Sequence, residues 1–426
     1  MVLEDIIVSL KIGQPMYPII LVGGTNGKGS VCAYLTTILT NAGYKVGTFT
    51  SPHVLRYNER IAINNHPIDD VQLAAALNKV IHTAQAPVIP DWIRDPQSDI
   101  PMHFDNAKTA ANMHLGLFQA FTLAAHLIFK QQNIDIAIVE VGIGGTHDIT
   151  NLFEPSISAI TNVDYDHMQT LGNTIEEIAA NKAGIFRSGK PGFFGNANIP
   201  NAIVQHAQKI NAPLECFGVD FGILRQHDLS FDVFCRERNF LCLPYPALRG
   251  TKQPQNVALA LAILSKLQDK FPVSLGTIKS SLLQTKLLGR FQVLPGLPQT
   301  ILDVAHNPHA VTHMLQNMLK LPFAKRSCAV FGIANDKDVS AIIDLCHDRF
   351  DIWFIAAINS TRALDIATLQ QTLLQAGIPA DTIITCATIT EAYTKAQAWS
   401  TTEDRIIAFG SFLVVEDITQ ICDEKT

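Results

Sequence analysis

Ile19 to Leu39 reads IILVGGTNGKGSVCAYLTTIL, and the fold assignment turns on this stretch. The apolar run ending at Val22 predicts a buried parallel strand. From Ser30 onward an amphipathic pattern of good helix formers predicts a helix. Between them lie Gly23, Gly24, Gly27 and Gly29, which free the backbone to turn its N–H groups inward. Lys28 is placed to reach terminal phosphates, and the N-terminus of the following helix adds positive potential. Strand, glycine loop and helix in this order predict a phosphate cradle. The spacing departs from strict GxxxxGK[ST], because Gly29 intervenes between Lys28 and Ser30.

The chain of 426 residues is long enough for two or three domains with substantial cores. A hydrophobic share of 47% against 16% charged is the balance of an ordinary soluble protein and argues against disorder. Lys and Arg number 32 against 38 Asp and Glu, a net charge of −6, so no general basic footprint for nucleic acid is present. The cysteines, Cys32, Cys216, Cys235, Cys242, Cys328, Cys346, Cys386 and Cys422, include no CxxC pair. That favours free thiols in a reducing compartment over a zinc site or a disulfide frame. The opening MVLEDIIVSLKIGQ is acidic before it is basic and has no signal-type cleavage pattern, and no uninterrupted apolar run of about 18 residues occurs. The expectation is a cytoplasmic protein with neither membrane nor nucleic acid as partner.

Working outward from the loop, LEDIIVSL predicts a short helix running to the breaks at Pro15 and Pro18. After Gly43, KVGTFT predicts a second strand that delivers TSPHVLRYNERIAIN (Thr50 to Asn64) to the edge where open α/β sheets bind ligands. Ser51 then faces the phosphates, where a hydroxyl can complete a magnesium shell. Residues 86 to 107, with four prolines and no periodicity, predict a long surface loop of the lid or binding kind. A helix is expected over Leu115 to Lys130. IDIAIVEVGIGGTHDITN gives a strand ending in Glu140 and a second glycine cluster, Gly142, Gly144 and Gly145. A carboxylate leaving a central strand beside a phosphate loop suits a metal–nucleotide site. SISAITNVDYDHMQTLG follows the same plan and carries His167 just past its strand.

Further on, a helix from near Thr174 ends in Asn181-Lys182-Ala183-Gly184-Ile185. GKPGFFG, a helix, the short strands LECFG, LSFDVF and FLCLP, and the helices QNVALALAILSKL and SLGTIKSSLLQT follow. KLLGRFQVLPGLP, rich in Gly and Pro, predicts a hinge. From Thr300 strand–helix alternation restarts. The expected class is α/β: a P-loop-containing, mostly parallel sheet domain over residues 1–285, a hinge over 286–299, and a smaller Rossmann-like α/β domain over 300–426. No internal repeat or low-complexity tract is visible.

Seven stretches together resemble the folylpolyglutamate synthase and dihydrofolate synthase group of the Mur ligase superfamily: GTNGKGS (24–30), SPHVLRYNERI (51–61), EVGIGG (140–145), DH (166–167), KAGIFR (182–187), LLGRFQ (287–292) and DVAHNPHA (303–310). They run in family order over nearly the whole chain. The resemblance implies an ATP-dependent, ADP-forming ligase that joins L-glutamate to dihydropteroate or a folate through an acyl phosphate. It implies Asn26, Gly27, Lys28, Gly29 and Ser30 as the ATP loop, and Ser51, Glu140 and His167 as ligands of magnesium, with two ions expected. Lys182 matches a lysine the family carries carbamylated; a carbamate turns a cation into an anion able to hold a second magnesium. Asn256, Arg290 and Asp303 match nucleotide contacts, Arg290 as a fixed cation for the transferring phosphoryl group. His306 and Ser411 match positions near glutamate and nucleotide. The catalytic candidates are Lys182, His306 and Arg290, and the substrate candidates Phe118, Gln119, His147, Asp148 and Ser411. A monovalent cation and a monomeric chain belong to the same expectation.

The departures from the family pattern are specific. Gln119 stands for a Glu after Phe118, Thr146 for an Arg, Asn181 for a Glu, Leu413 for a polar or aromatic residue, and Leu3-Glu4-Asp5 for Leu-Glu-Arg. Several lie on the family's pterin side. The expectation is that phosphoryl chemistry is kept while acceptor recognition has drifted. Two other readings are an amide ligase for a different carboxylate and a non-catalytic nucleotide-binding paralogue. The expected mark of the latter, loss of Lys28, Glu140, His167 or Lys182, is absent.

Overall fold

The computed structural model describes residues 3–84 and 115–423. The loop expected over 86–107 lies outside the described residues. The chain divides into two compact units, one of Met1–Val163, Leu171–Tyr245 and Gln255–Gln284, the other of Asp164–Thr170, Pro246–Pro254 and Thr285–Thr426.

The first unit is built on an eight-stranded sheet of β1 (Ile19–Gly23), β2 (Val46–Phe49), β3 (Ile61–Ile63), β4 (His66–Pro67), β5 (Ile136–Glu140), β6 (Ile157–Ile160), β7 (Gly192–Phe194) and β8 (Leu214–Cys216). Its order is β4-β3-β2-β5-β1-β6-β7-β8. All neighbours pair in parallel except β3 on β2 and β4 on β3. Every residue of β1 is buried. A strand covered on both faces has no polar side to show, which is why IILVG reads as one apolar run. The register sets Val22 opposite Glu140, Gly23 opposite Ile160 and Phe49 opposite Val139. The C-terminal tips of β1, β2, β5 and β6 therefore share one edge.

The helix Lys28–Asn41 buries Val31, Leu35, Ile38 and Leu39 and packs on β2 and β5. After a helix over Asp70–Ala84, the helix expected from Leu115 runs from Leu117 to Gln132, because Gly116 is extended and serves as its N-cap. The same unit holds an antiparallel sheet of β9 (Phe221–Gln226), β10 (Ser230–Cys235) and β11 (Asn239–Pro244), ordered β11-β10-β9. The sequence reading passes over β9. Only Phe221 and Gly222 of that strand are buried, so it lacks the alternation that reveals a strand.

The second unit has a six-stranded sheet of β12 (Gln292–Val293), β13 (Gln299–Leu302), β14 (Ser327–Phe331), β15 (Ile352–Ile355), β16 (Ile383–Thr385) and β17 (Arg405–Phe409), ordered β12-β13-β17-β14-β15-β16. Only β12 is antiparallel to its neighbour, and it lies inside the stretch read as a loop. Phe331, Trp353 and Phe409 form the aromatic centre of its core. Among the described residues no helix is long and apolar enough to cross a membrane.

At the entry to β17, Asp404 accepts from Arg326 Nε at 3.2 Å and Nη2 at 2.6 Å, and from Thr401 N and Oγ1 at 2.8 and 2.9 Å. The Arg326 guanidinium also lies 3.8 Å from the Trp399 ring centre. The Arg326 bonds hold the Asp404 carboxyl well below the usual carboxylate range. A depressed acid adds stability that is present above its unfolded pKa and lost as pH falls through its folded value. Asp404→Asn is expected to lose about 2 kcal/mol at pH 7, less than a wholly buried pair would lose because the Arg326 side chain is 35% exposed. Thermal unfolding should show that deficit shrinking below about pH 4. A deficit that grows on acidification would contradict the assignment.

Candidate functional site

Gly24, the residue after β1, has φ +137°, and a Cβ there would sit 1.9 Å from Thr161 Oγ1. The strand can enter the loop only because that atom is missing. Thr161 Oγ1 donates to Asn26 O at 2.6 Å, and Asn162 Oδ1 accepts from Asn26 N and Thr25 N at 2.9 and 3.2 Å. The glycine loop is thus pinned by the two residues that follow the tip of β6. Gly27, with φ +87°, opens the helix Lys28–Asn41, which has no acidic residue in its first turn. Its amides and dipole leave an electropositive end. A Cβ on Gly27 would meet Asn256 Oδ1 at 3.0 Å, which places Asn256 against the loop. Lys28 Nζ donates to Gly24 O at 3.1 Å and Thr25 O at 3.3 Å. Gly29 and Ser30 lie in the first turn of the helix, Ser30 buried.

Glu140, at the tip of β5, is 4% exposed, and its Oε2 accepts from Ser51 N at 3.2 Å. The parallel register thereby brings together two of the oxygen-bearing residues the sequence singles out. Past Glu140, the Asp148 carboxylate ties the second glycine cluster. Its Oδ2 accepts from Gly142 N and Ile143 N, both at 3.1 Å, and its Oδ1 from Thr150 N and Oγ1 at 2.9 and 2.6 Å. Burial pushes this carboxyl up against the pull of those four bonds. His147 beside it is exposed.

The cluster packs on the helix Ile175–Ala183. A Cβ on Gly145 would lie 2.8 Å from the carbonyls of Asn181 and Lys182, and Thr146 N and Oγ1 both donate to Asn181 O at 2.9 Å. Thr174 caps that helix on Glu177 N, and Glu177 returns bonds to Asn173 N and Thr174 N. Held at both ends, the helix presents Lys182, 4% exposed, with Nζ donating to Gly24 O at 3.1 Å. Lys28 and Lys182 therefore converge on one carbonyl. Phe118 stacks obliquely on Phe49 with ring centres 5.5 Å apart and lies over Gly142. Gln119 Oε1 accepts from Gly116 N at 2.9 Å. That bond needs only an acceptor oxygen, which either an amide or a carboxylate supplies.

The second unit gathers Arg290, Asp303, His306, Ser411 and His167. Asp303 follows β13 and accepts from Phe291 N at 3.1 Å and Ala305 N at 2.8 Å; burial raises it to about 6 against the pull of Arg290. The Arg290 guanidinium lies 5.2 Å from the Phe412 ring centre, and Phe412 is 5.9 Å from the His306 ring. Ser411 Oγ accepts from Leu413 N at 3.2 Å. His306 Nδ1 is 2.7 Å from Val304 O. A carbonyl only accepts, so Nδ1 carries the proton and Nε2 is left as an acceptor. Burial lowers its pKa to about 4.

Asp166 is a hub that sequence reasoning left without a role. It accepts from Lys337 Nζ at 3.1 Å, Asn307 Nδ2 at 3.2 Å and His167 N at 2.9 Å, with His306 Nε2 4.0 Å away. Burial alone would raise it, but Lys337, His167 and His306 hold it at about 2. Among the described residues no group of three or more His, Cys, Asp or Glu is placed to hold a metal ion. The Glu140 carboxylate with the Ser51 hydroxyl is nevertheless a hard oxygen set of the kind magnesium and manganese prefer.

Comparison with known proteins completes the assignment. Residues 97–264 match the Mur ligase middle domain and residues 289–412 the Mur ligase glutamate ligase domain. The chain is 33% identical over 423 residues to the dihydrofolate synthase/folylpolyglutamate synthase of Escherichia coli K12, covering 98% of this chain and 90% of that one. It is 32% identical over 404 residues to the protein of that name from Buchnera aphidicola subsp. Schizaphis graminum, covering 95% and 88%. Among solved structures, E. coli FolC in complex with DHPP and ADP superposes with a TM-score of 0.86 at 30% identity over 99% of this chain and 92% of that one. The bifunctional Yersinia pestis enzyme complexed with AMPPNP and Mn gives 0.84 at 30% identity, with 99% and 92% covered. Sequence identity of this order along nearly the full length of both chains, carried on the same fold, shows that the chain belongs to the dihydrofolate synthase/folylpolyglutamate synthase family of the Mur ligase superfamily.

Proposed function

We propose that this chain is an ATP-dependent, ADP-forming ligase that joins L-glutamate to dihydropteroate, to folates, or to both, through an acyl phosphate of the acceptor. What supports this most is the edge of the larger sheet, where Glu140 is tied to Ser51 while Lys28 and Lys182 meet at the Gly24 carbonyl. On this reading Gly23–Ser30 is a P-loop-type cradle: inward amides, the helix N-terminus and Lys28 bind the ATP phosphates, with Asn256 flanking them. Residues 1–285 are the ATP-binding domain, 286–299 the hinge and 300–426 a Rossmann-like glutamate-ligase domain.

Ser51, Glu140 and His167 are the residues assigned to magnesium, and Lys182, as a carbamate, to a second ion. Bound there, the ions supply charge neutralisation for phosphoryl transfer. A monovalent cation belongs to the same reading. Arg290 is assigned to the transferring phosphoryl group, Asp303 to the nucleotide, and His306 and Ser411 to glutamate. His306 Nε2, unprotonated at neutral pH, suits the role of acceptor for an ammonium or attacking amine. Phe118, lying on Gly142 beyond Glu140, offers an apolar wall to the acceptor's ring.

The test is ADP release with dihydropteroate plus L-glutamate, and separately with tetrahydrofolate plus L-glutamate, with the product mass measured. ADP should form only when both acceptor and glutamate are present. Turnover with neither acceptor but with some other carboxylic acid would move the assignment to a different amide ligase.

A further inference from the structure

Past the stretch DVAHNPHA the chain continues Val311-Thr312-His313, which sets His309 and His313 four residues apart on the helix Pro308–Met318. Residues at i and i+4 lie one above the other on a helix face, the spacing by which an HExxH helix presents two imidazoles to zinc. Here the two Nε2 atoms face each other at 3.1 Å, with ring centres 4.5 Å apart and ring planes at 89°. His313 Nδ1 donates to Gln316 Oε1 at 3.0 Å. An amide oxygen only accepts, so the proton is on Nδ1 and the Nε2 lone pair is aimed at His309. Burial lowers both imidazoles from their ordinary pKa, which favours the neutral form that binds metals.

Zinc holds imidazole nitrogens at about 2.0–2.1 Å, so two of them bound at angles between octahedral and tetrahedral stand about 2.8–3.4 Å apart. The observed 3.1 Å falls inside that span. Asp164 Oδ2 lies 3.6 Å from His309 Nε2, too far to accept from it directly but placed to hold a water on such an ion. Of the charged groups that act on both rings, Asp164 and Lys252 oppose each other, so no net negative charge draws a hard cation here. Neutral imidazoles select Zn2+, Cu2+ or Ni2+ over Mg2+. Ala310 stands where HExxH carries the Glu that acts as general base, so the pair is equipped to bind an ion and not to hydrolyse with it. His309, His313, Asp164 and Lys252 all belong to the second unit.

We propose that His309 and His313 form a two-imidazole site for a borderline divalent transition metal such as zinc, with water completing its shell, separate from the residues assigned to magnesium. Through Asp164, an ion there ties the helix Pro308–Met318 to the segment Asp164–Thr170, which carries Asp166 and His167. The proposal goes beyond the ligase reading and does not rest on it.

The test is titration calorimetry of the full-length chain with ZnCl2 in excess MgCl2, run on the wild type, His309→Gln, His313→Gln and Asp164→Asn. The wild type should take up one Zn2+ per chain at micromolar concentration. Either glutamine variant should bind at least about 100-fold more weakly, since a single imidazole is left, and Asp164→Asn about tenfold more weakly, as for the loss of an outer partner. Zinc should raise the thermal midpoint of the wild type but not that of the glutamine variants. Electron paramagnetic resonance with one equivalent of Cu2+ on the wild type should show two imidazole nitrogens. That measurement needs no variant, so it decides the matter even if a substituted chain fails to fold. Zinc binding that requires millimolar concentrations, wild-type affinity in His313→Gln, or a Cu2+ spectrum with fewer than two imidazole nitrogens would each overturn the proposal. The two rings would then simply share a proton in an N–H···N bond.

Discussion

Lys182→Ala is expected to lower kcat by at least about 10³-fold, about 4 kcal/mol of transition-state stabilisation, and added acetate is expected to restore part of the loss. Lys182 is buried, and its Nζ shares the Gly24 carbonyl with Lys28 Nζ. Two ammonium groups on one acceptor repel each other, and neither can hold a divalent cation. The proposed carbamylation would remove the conflict: the amine would add CO2, release a proton and become an anion. Lys28 would then remain as the cation for phosphate, and the new carboxylate could hold magnesium. Removing the buried side chain would vacate room beside the glycine loop, and occupation of that room by a small carboxylate is the expected basis of rescue. Lys182→Arg keeps length and charge but cannot form the carbamate, so it should be as slow as the alanine variant and insensitive to acetate. Initial rates of ADP release with and without acetate or bicarbonate decide the matter. A fully active Lys182→Arg enzyme would remove the carbamate from the mechanism.

What the sequence reveals depends on how locally each feature is encoded. The β1–loop–helix unit is legible because a strand buried on both faces, four glycines and a run of helix formers are all contiguous, although the helix is buried on nearly every side rather than amphipathic as expected. Glu140 and Ser51 are legible because parallel strands carry their last residues to the same edge, and the observed register does so. The features that escape are those assembled from distant segments. Thr161 and Asn162 pin the glycine loop although more than 130 positions separate them from Asn26. Their signal was available, since two hydrogen-bonding residues directly follow a strand paired to β1. Asp166 joins Lys337 and Asn307 across 171 and 141 positions, and no spacing rule reaches that far. Asp148 illustrates a different limit. Sequence picks it out as a substrate candidate but gives no sign of the four side-chain hydrogen bonds that tie it to its own loop.

Glu140→Gln should separate charge from shape at the same edge. The amide oxygen can still accept from Ser51 N, and the side chain is nearly isosteric, so the thermal midpoint should move by no more than about 2 °C. Catalysis should nevertheless fall about 10³-fold at fixed magnesium, because a neutral amide is a far poorer ligand for a hard dication than a carboxylate. The magnesium concentration giving half-maximal rate should rise, and saturating magnesium should not restore wild-type kcat, since one negative charge is missing from the filled site. Glu140→Asp keeps the charge but withdraws it by one methylene, and should fall between the two. Burial sharpens this ordering: at 4% exposure Glu140 is poorly screened by water, so loss of its charge is felt nearly in full. Rates measured across a magnesium titration for the three proteins, alongside their melting curves, test each step. If Glu140→Gln matched the wild type in both kcat and magnesium dependence, the Glu140 charge would have no part in holding the ion, which would have to be sought elsewhere.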